Sequence, residues 1–210
     1  MSRGLRHSLG CSLVAASLVA GSLVAALGGC RSGDGEAAEL DVLGAVPDFA
    51  FTDQTGTPVR SADLRGRVHV AHFIFTRCPS VCPTTTLKME RLADRLAGRG
   101  DAIHFLSFSV DPEHDTPPVL AAFAARFHAD PARWKFLTGP PDAVRAAVEG
   151  GFHLAVERGA ALADGTPNIA HDTHFVLLDK KLRIRGFYDS DDAARLDQLA
   201  ADADALAREP

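Results

Sequence analysis

Cysteine is scarce in this chain: there are four in 210 residues, and Cys11 and Cys30 fall within the first 30. The remainder keeps two thiols, Cys78 and Cys82, so sulfur chemistry in the body of the protein is confined to one place. An excess of basic charge is also missing. Lys and Arg number 22 against 27 Asp and Glu, and no basic cluster forms, which argues against nucleic acid as a partner. Internal repeats are absent, and the alanine-rich stretches keep helical periodicity, which excludes a repeat array and low-complexity sequence.

What is present begins at the N-terminus. Arg3 and Arg6 precede an uncharged run of apolar and small residues from Ser8 to Gly29 that ends in Leu27-Gly28-Gly29-Cys30. This is the layout of a bacterial export signal, residues 1–30, closing in a lipobox whose Cys30 is acylated and becomes the new N-terminus. Gly28 is a less usual residue in such a box. The competing reading is an uncleaved span, because about 20 apolar residues can cross a bilayer. Either way Arg3 and Arg6 stay inside, and the rest of the chain lies on the periplasmic side. Residues 31–41 have no apolar period and read as a flexible tether; residues 42–208 are long enough for one domain with a real core.

Within that domain, apolar runs and helical spacings alternate. Strands are expected over 68–75, 103–110, 134–137, 175–178 and 184–188, and helices over 83–96, 117–127, 141–149 and 191–206. The pattern predicts an α/β fold with a sheet layered by helices. Cys78 and Cys82 then sit where the first strand runs into a helix. The unpaired N–H groups and partial positive charge of a helix N-terminus favour thiolate over thiol. With three residues between them, the two sulfurs lie about one helical turn apart, able to converge on one ion or to join if the turn loosens. Spacing alone leaves three readings open: a metal site, a redox pair and an inert structural disulfide.

A metal site needs a third ligand, and nine histidines are available. His7 lies in the export signal, and His69 and His72 fall three apart within the first strand, on opposite faces. His104, His114, His128 and His153 have no partner nearby in sequence. His171 and His174 differ, because they follow a long irregular segment, 158–170, and precede a strand, a junction where sheet proteins build sites. Their odd spacing directs them to opposite faces, so one of the two at most reaches the cysteines.

The chain resembles the Sco/SenC family of copper-binding, thioredoxin-like proteins over nearly all of Val46 to Asp189. The matching pieces are Pro47-Asp48-Phe49 with Thr52-Asp53-Gln54-Thr55-Gly56, the segment Phe75-Thr76-Arg77-Cys78-Pro79-Ser80-Val81-Cys82-Pro83, and Ser109 to Pro117. Trp134 to Gly139 and His171-Asp172-Thr173-His174 through Asp179 complete the ordered set. The resemblance implies a thioredoxin-like fold, a central mixed β-sheet flanked by helices, and copper held by Cys78, Cys82 and His171, with His174 facing away. His72 departs from the family's tyrosine-rich strand.

Two thiolates and an imidazole form a soft set suited to Cu(I) and able to accept Cu(II) with one added ligand, whereas zinc usually wants a fourth protein ligand in a structural site. Asp111 is the candidate for a group behind the ligands that orients His171 or supplies a hydrogen bond; a turn or helix cap before Pro112 is the other reading.

The resulting expectation is a lipid-anchored periplasmic copper chaperone that serves the copper-bearing subunit of cytochrome c oxidase during assembly of its binuclear copper centre. Turnover is not implied. The rival is a thiol-disulfide oxidoreductase in which Cys78 and Cys82 reduce the client's cysteines. A glutathione-peroxidase-like site would pair its cysteine with glutamine and tryptophan, and here Gln54, Gln198 and Trp134 stand in unrelated contexts.

Overall fold

In the computed structural model the described residues are 40–162 and 165–210. The export signal with Cys30, and all of the expected tether before Leu40, lie outside them. Order is already present at Leu40 and Asp41, whose carbonyls accept hydrogen bonds from the Arg185 guanidinium. Among the described residues no helix is long and apolar enough to cross a membrane.

The strands and helices in chain order are β1 (Gly44–Ala45), β2 (Ala50–Asp53), β3 (Pro58–Arg60), β4 (Val68–Ile74), α1 (Val81–Arg95), β5 (Ile103–Ser109), α2 (Pro117–Ala125), β6 (Trp134–Thr138), α3 (Pro141–Arg145), β7 (Val156–Arg158), β8 (Ile169–His171), β9 (Phe175–Leu178), β10 (Arg183–Tyr188) and α4 (Ala193–Arg208). Eight strands form one sheet in the order β1-β10-β9-β4-β5-β6-β2-β3, and β7 and β8 form a separate antiparallel pair.

Every residue of β4 is buried, as a near-continuous apolar run requires of a strand covered on both faces. Beside it, β5 and β6 run parallel, reached by crossovers through α1 and α2. On its other side β9 is antiparallel, and β10 and β1 continue that way. The sheet is therefore mixed, as expected. Helices α1 and α4 pack together and against β4, while α2 packs on β6. Phe73 stacks on Phe108 with ring centroids 5.7 Å apart, and Phe152 meets both rings. This aromatic cluster anchors the end of the sheet where β4 leads into α1.

Three features depart from the expected elements. The short strands β1, β2 and β3, at or next to the edges of the sheet, carry too few residues to show a period. The predicted helix 141–149 is α-helical over five residues and then widens into a π-helical turn at 146–151. The chain leaves that turn at Gly151 against Pro47, where a Cβ would lie 2.2 Å from the proline Cδ, so no larger residue fits. Finally, the segment expected to be irregular from Arg158 to Ala170 is closed at its base by β7 and β8, with Val156 opposite His171 and Arg158 opposite Ile169.

Candidate metal centre

The turn after β4 leads directly into α1, and its geometry follows from how the first turn of that helix is satisfied. The side chain of Ser80, the residue preceding the helix, makes no capping hydrogen bond. The sulfur of Cys78 takes that place: the Cys82 N–H donates to Cys78 Sγ at 3.3 Å, and the amides of Ser80 and Val81 also face it. The Cys82 thiol donates as well, and together these donors lower the Cys78 thiol to about 5 against the opposing effect of burial. Cys82 is fully buried, and donation to Cys78 together with desolvation pushes its thiol upward. The two sulfurs are free thiols of opposite character: a half-buried thiolate and a buried proton donor.

The third expected ligand arrives from β8. His171 Nε2 lies 3.4 Å from Cys82 Sγ, across 89 positions of sequence, with the Phe75 ring edge-on to the imidazole at 5.8 Å between centroids. His171 Nδ1 is 2.9 Å from the Asp172 carbonyl oxygen. A carbonyl only accepts, so Nδ1 carries a proton, and in the neutral ring the lone pair is on Nε2, facing the sulfur. His174 takes a different partner: its Nδ1 and backbone N–H both face Asp172 Oδ1 at 2.7 Å. One aspartate thus holds both imidazoles, by its carbonyl and by its carboxylate.

Asp111 does not contact His171. Its Oδ2 accepts from Arg77 Nε at 3.1 Å and from the second guanidinium nitrogen at 2.7 Å, and Arg158 stands 3.7 Å from Oδ1. The Asp111 backbone carbonyl also accepts from the His114 and Asp115 amides in the turn before α2, while its side chain caps no amide among the described residues. The carboxylate that supports the cysteine turn is Asp115, which sequence reasoning passed over. Buried completely, it accepts from Thr76 Oγ at 2.5 Å, from the Thr76 amide at 3.1 Å and from Ser109 Oγ at 2.6 Å. Burial raises its carboxyl above the ordinary range against those donors. The signal available in the sequence was a second aspartate four residues after Asp111, which looks like an ordinary helix-start residue.

The remaining histidines sort by environment. His72 Nε2 pairs with Ser107 Oγ at 2.6 Å, and Ser107 Oγ also accepts from Trp134 Nε1 at 2.8 Å. Burial lowers His72 to about 3, with the nearby His171 adding to the effect. Gln54 and Trp134, read from sequence as unrelated, are neighbours. The Gln54 amide donates to the Trp134 carbonyl and its oxygen accepts from the Phe136 amide, both at 2.8 Å, which makes them a staple between the β2–β3 turn and β6. Neither contacts a cysteine by these bonds.

Cys78 and His171 are thus each placed against Cys82, although among the described residues no three His, Cys, Asp or Glu side chains are arranged to hold a metal ion. The donor set still fits a soft ion: two sulfurs, one already a thiolate, and a bare imidazole nitrogen beside a helix N-terminus.

Comparison with known proteins is consistent along the whole described domain. The SCO1/SenC family model matches residues 39–208. The SCO1 protein homolog of Bacillus subtilis is 42% identical over 94 residues, which span 45% of this chain and 49% of that protein, about half its length. Protein SenC of Rhodobacter capsulatus is 32% identical over 164 residues, 77% of this chain and 69% of that protein. A protein of Stutzerimonas stutzeri described as a putative copper-binding protein is 35% identical over 86 residues, covering 40% of this chain and 42% of its own length. Among solved structures, a SCO1/SenC family lipoprotein from Bacillus anthracis superposes with a TM-score of 0.70 at 31% identity, covering 79% of this chain and 96% of that one. BsSco, described with a disulfide switch and as a member of the Sco family of cytochrome c oxidase assembly proteins, gives 0.70 at 29% identity, covering 81% and 98%. The fold is the thioredoxin-like fold of the Sco structures, and with the family model spanning the domain from residue 39 to residue 208, this chain belongs to the SCO1/SenC family.

Proposed function

We propose that the chain is a copper-binding protein, tethered to the periplasmic face of a bacterial membrane through Cys30, that delivers copper to the copper-bearing subunit of cytochrome c oxidase. The observation that carries the reading is His171 Nε2 3.4 Å from Cys82 Sγ, brought from a separate hairpin with its Nδ1 held by a backbone carbonyl. Thiol exchange does not require an imidazole at this place, whereas a metal ligand is commonly oriented by an outer oxygen on its other ring nitrogen. The copper-binding description of the Stutzerimonas relative, the oxidase-assembly description of BsSco and the lipoprotein description of the Bacillus anthracis relative support the cargo, the client and the anchor.

Copper is here the cargo. Cys78 would offer a thiolate at neutral pH, Cys82 would release its proton to solvent as the cation binds, and His171 would supply the nitrogen. The ligands come from two separate parts of the chain, the turn and first residues of α1 for the cysteines and β8 for His171. Replacing His171 with alanine is expected to abolish stable Cu(II) binding while leaving the reduction potential of the thiol pair nearly unchanged. Absorption spectroscopy of the sulfur-to-copper band and redox titration of the thiols measure the two effects. Full copper retention in that variant would overturn the chaperone reading.

A second reading rests on the split between the thiols. A half-buried thiolate at Cys78 beside a protonated Cys82 is also the arrangement of an attacking and a resolving thiol. Oxidase-assembly activity that survives His171→Ala but not Cys78→Ser would favour reduction of the client's cysteines.

A further inference from the structure

His171 reaches the sulfurs from a two-stranded hairpin that is not hydrogen-bonded into the main sheet. Ile169 of β8 packs into the core, and the polar contacts of Arg158 lead to the end of β5, where one carboxylate is buried. Arg158, the last residue of β7, lies opposite Ile169 of β8, two positions from His171. Its guanidinium donates to the carbonyl of Val110, just beyond the end of β5, and stands 3.7 Å from Asp111 Oδ1. The other oxygen of Asp111 takes two hydrogen bonds from Arg77, the residue immediately before Cys78. The Asp111 side chain is 3% exposed, against 40% for Arg77 and 49% for Arg158. Two half-exposed cations thus flank one buried anion, each on a different arm of the site.

We propose that Arg77, Asp111 and Arg158 form a clasp that sets the position of His171 relative to Cys78 and Cys82, with Asp111 as its fixed centre. A buried carboxylate is strongly disfavoured without compensation, so each arginine is drawn to it. Arg77 ties the cysteine turn to the end of β5, and Arg158 ties the hairpin to the same place. The ligands on the two arms are registered through Asp111 without any contact between Asp111 and a ligand. All three are positioning residues. The inference rests on the copper reading for its consequence, and on the geometry alone for the clasp.

The test compares Arg158→Met, Asp111→Asn and Arg77→Met in the purified full chain by two measurements. Amide hydrogen exchange without metal follows the β7–β8 pairing, including the Gly159 amide that donates to the Asn168 carbonyl at 2.8 Å. Titration with Cu(II), read by the sulfur-to-copper band and by nitrogen hyperfine splitting in electron spin resonance, follows the site. Arg158→Met and Asp111→Asn should speed exchange in the hairpin, weaken Cu(II) binding by about three- to tenfold and diminish the nitrogen splitting while the sulfur band persists. The Arg158→Met/Asp111→Asn double variant should lose less than the sum of the two single effects, since both changes remove the same ion pair, while the Arg158 bond to the Val110 carbonyl is lost only with Arg158. Arg77→Met should leave hairpin exchange at the unmodified rate.

Unchanged hairpin exchange in both Arg158→Met and Asp111→Asn would overturn the clasp. Should Asp111→Asn fail to fold, the half-exposed Arg158 variant decides the matter alone. Absence of any sulfur-to-copper band in the unmodified chain would defeat the copper reading instead, and the exchange comparison would still judge the clasp.

Discussion

Two pairs of histidines, each three residues apart, sit at opposite extremes of this molecule. His69 and His72 are buried in the middle of the sheet on β4, where Leu64 O and Ser107 Oγ engage the Nε2 of each and both Nδ1 atoms are buried without a partner. His171 and His174 flank the turn into β9, where Asp172 engages Nδ1 of each. Residue type and spacing are the same in both pairs. What differs is which ring nitrogen the neighbours occupy and how much apolar material surrounds the rest. A ring whose Nε2 is spent on a local oxygen inside a core is a packing unit, whereas one held by Nδ1 at a rim presents a ligand.

The largest effect that can sharpen this contrast is acid instability. Burial lowers His69 to about 4 and His72 to about 3 from an ordinary value near 6.5. Well above pH 6.5 both rings are neutral whether the chain is folded or not, and they add no pH dependence. Below that, the unfolded chain takes up protons that the folded chain refuses, so stability falls with pH, by roughly 3 kcal/mol for each ring by pH 4. Chemical unfolding at pH 7 and pH 4 should show the loss, and His72→Phe should remove its share. Equal acid sensitivity in that variant would mean that the β4 pair does not differ from a solvated pair.

A smaller effect concerns the cysteine turn. Asp115→Ala leaves the Thr76 amide and the Ser109 hydroxyl without their buried acceptor, at a cost of about 2 kcal/mol. Thermal unfolding measures that cost, and alkylation kinetics should show a faster reaction at Cys78 as the turn loosens. An unaltered melting temperature would show that the Thr76 turn stands without Asp115.

The smallest effect is expected at His174. Its ring is held by Asp172 away from the sulfurs, so His174→Ala should change Cu(II) affinity by less than about twofold and stability by a few tenths of a kcal/mol. A loss comparable to that of His171→Ala would erase the distinction between the two late histidines.

Strong periodic segments were legible before any coordinates. The buried strand β4 and the start of α1 beside the cysteines follow from an apolar run and helical spacing, and β9 matches its expected bounds residue for residue. The hairpin β7–β8 was not legible, because Val156–Arg158 and Ile169–His171 are three residues each and pair across a loop. Asp111 illustrates the other limit. Its place at the end of a strand marked it as structurally important, but its partners, Arg77 and Arg158, are set by chain segments 34 and 47 positions away in opposite directions.

By itself the sequence determined that thiolate chemistry could occur at one strand-to-helix turn and nowhere else in the domain, because two thiols are all that follow residue 30. It also determined the mixed α/β layering, since hydrophobic period is a local property. Tertiary structure decided which sulfur is the thiolate, which imidazole turns its lone pair toward the pair, and what braces the hairpin that carries it. Those outcomes depend on backbone amides, a backbone carbonyl and a buried charge brought together across the fold, and their energies arise from distance in space rather than distance along the chain.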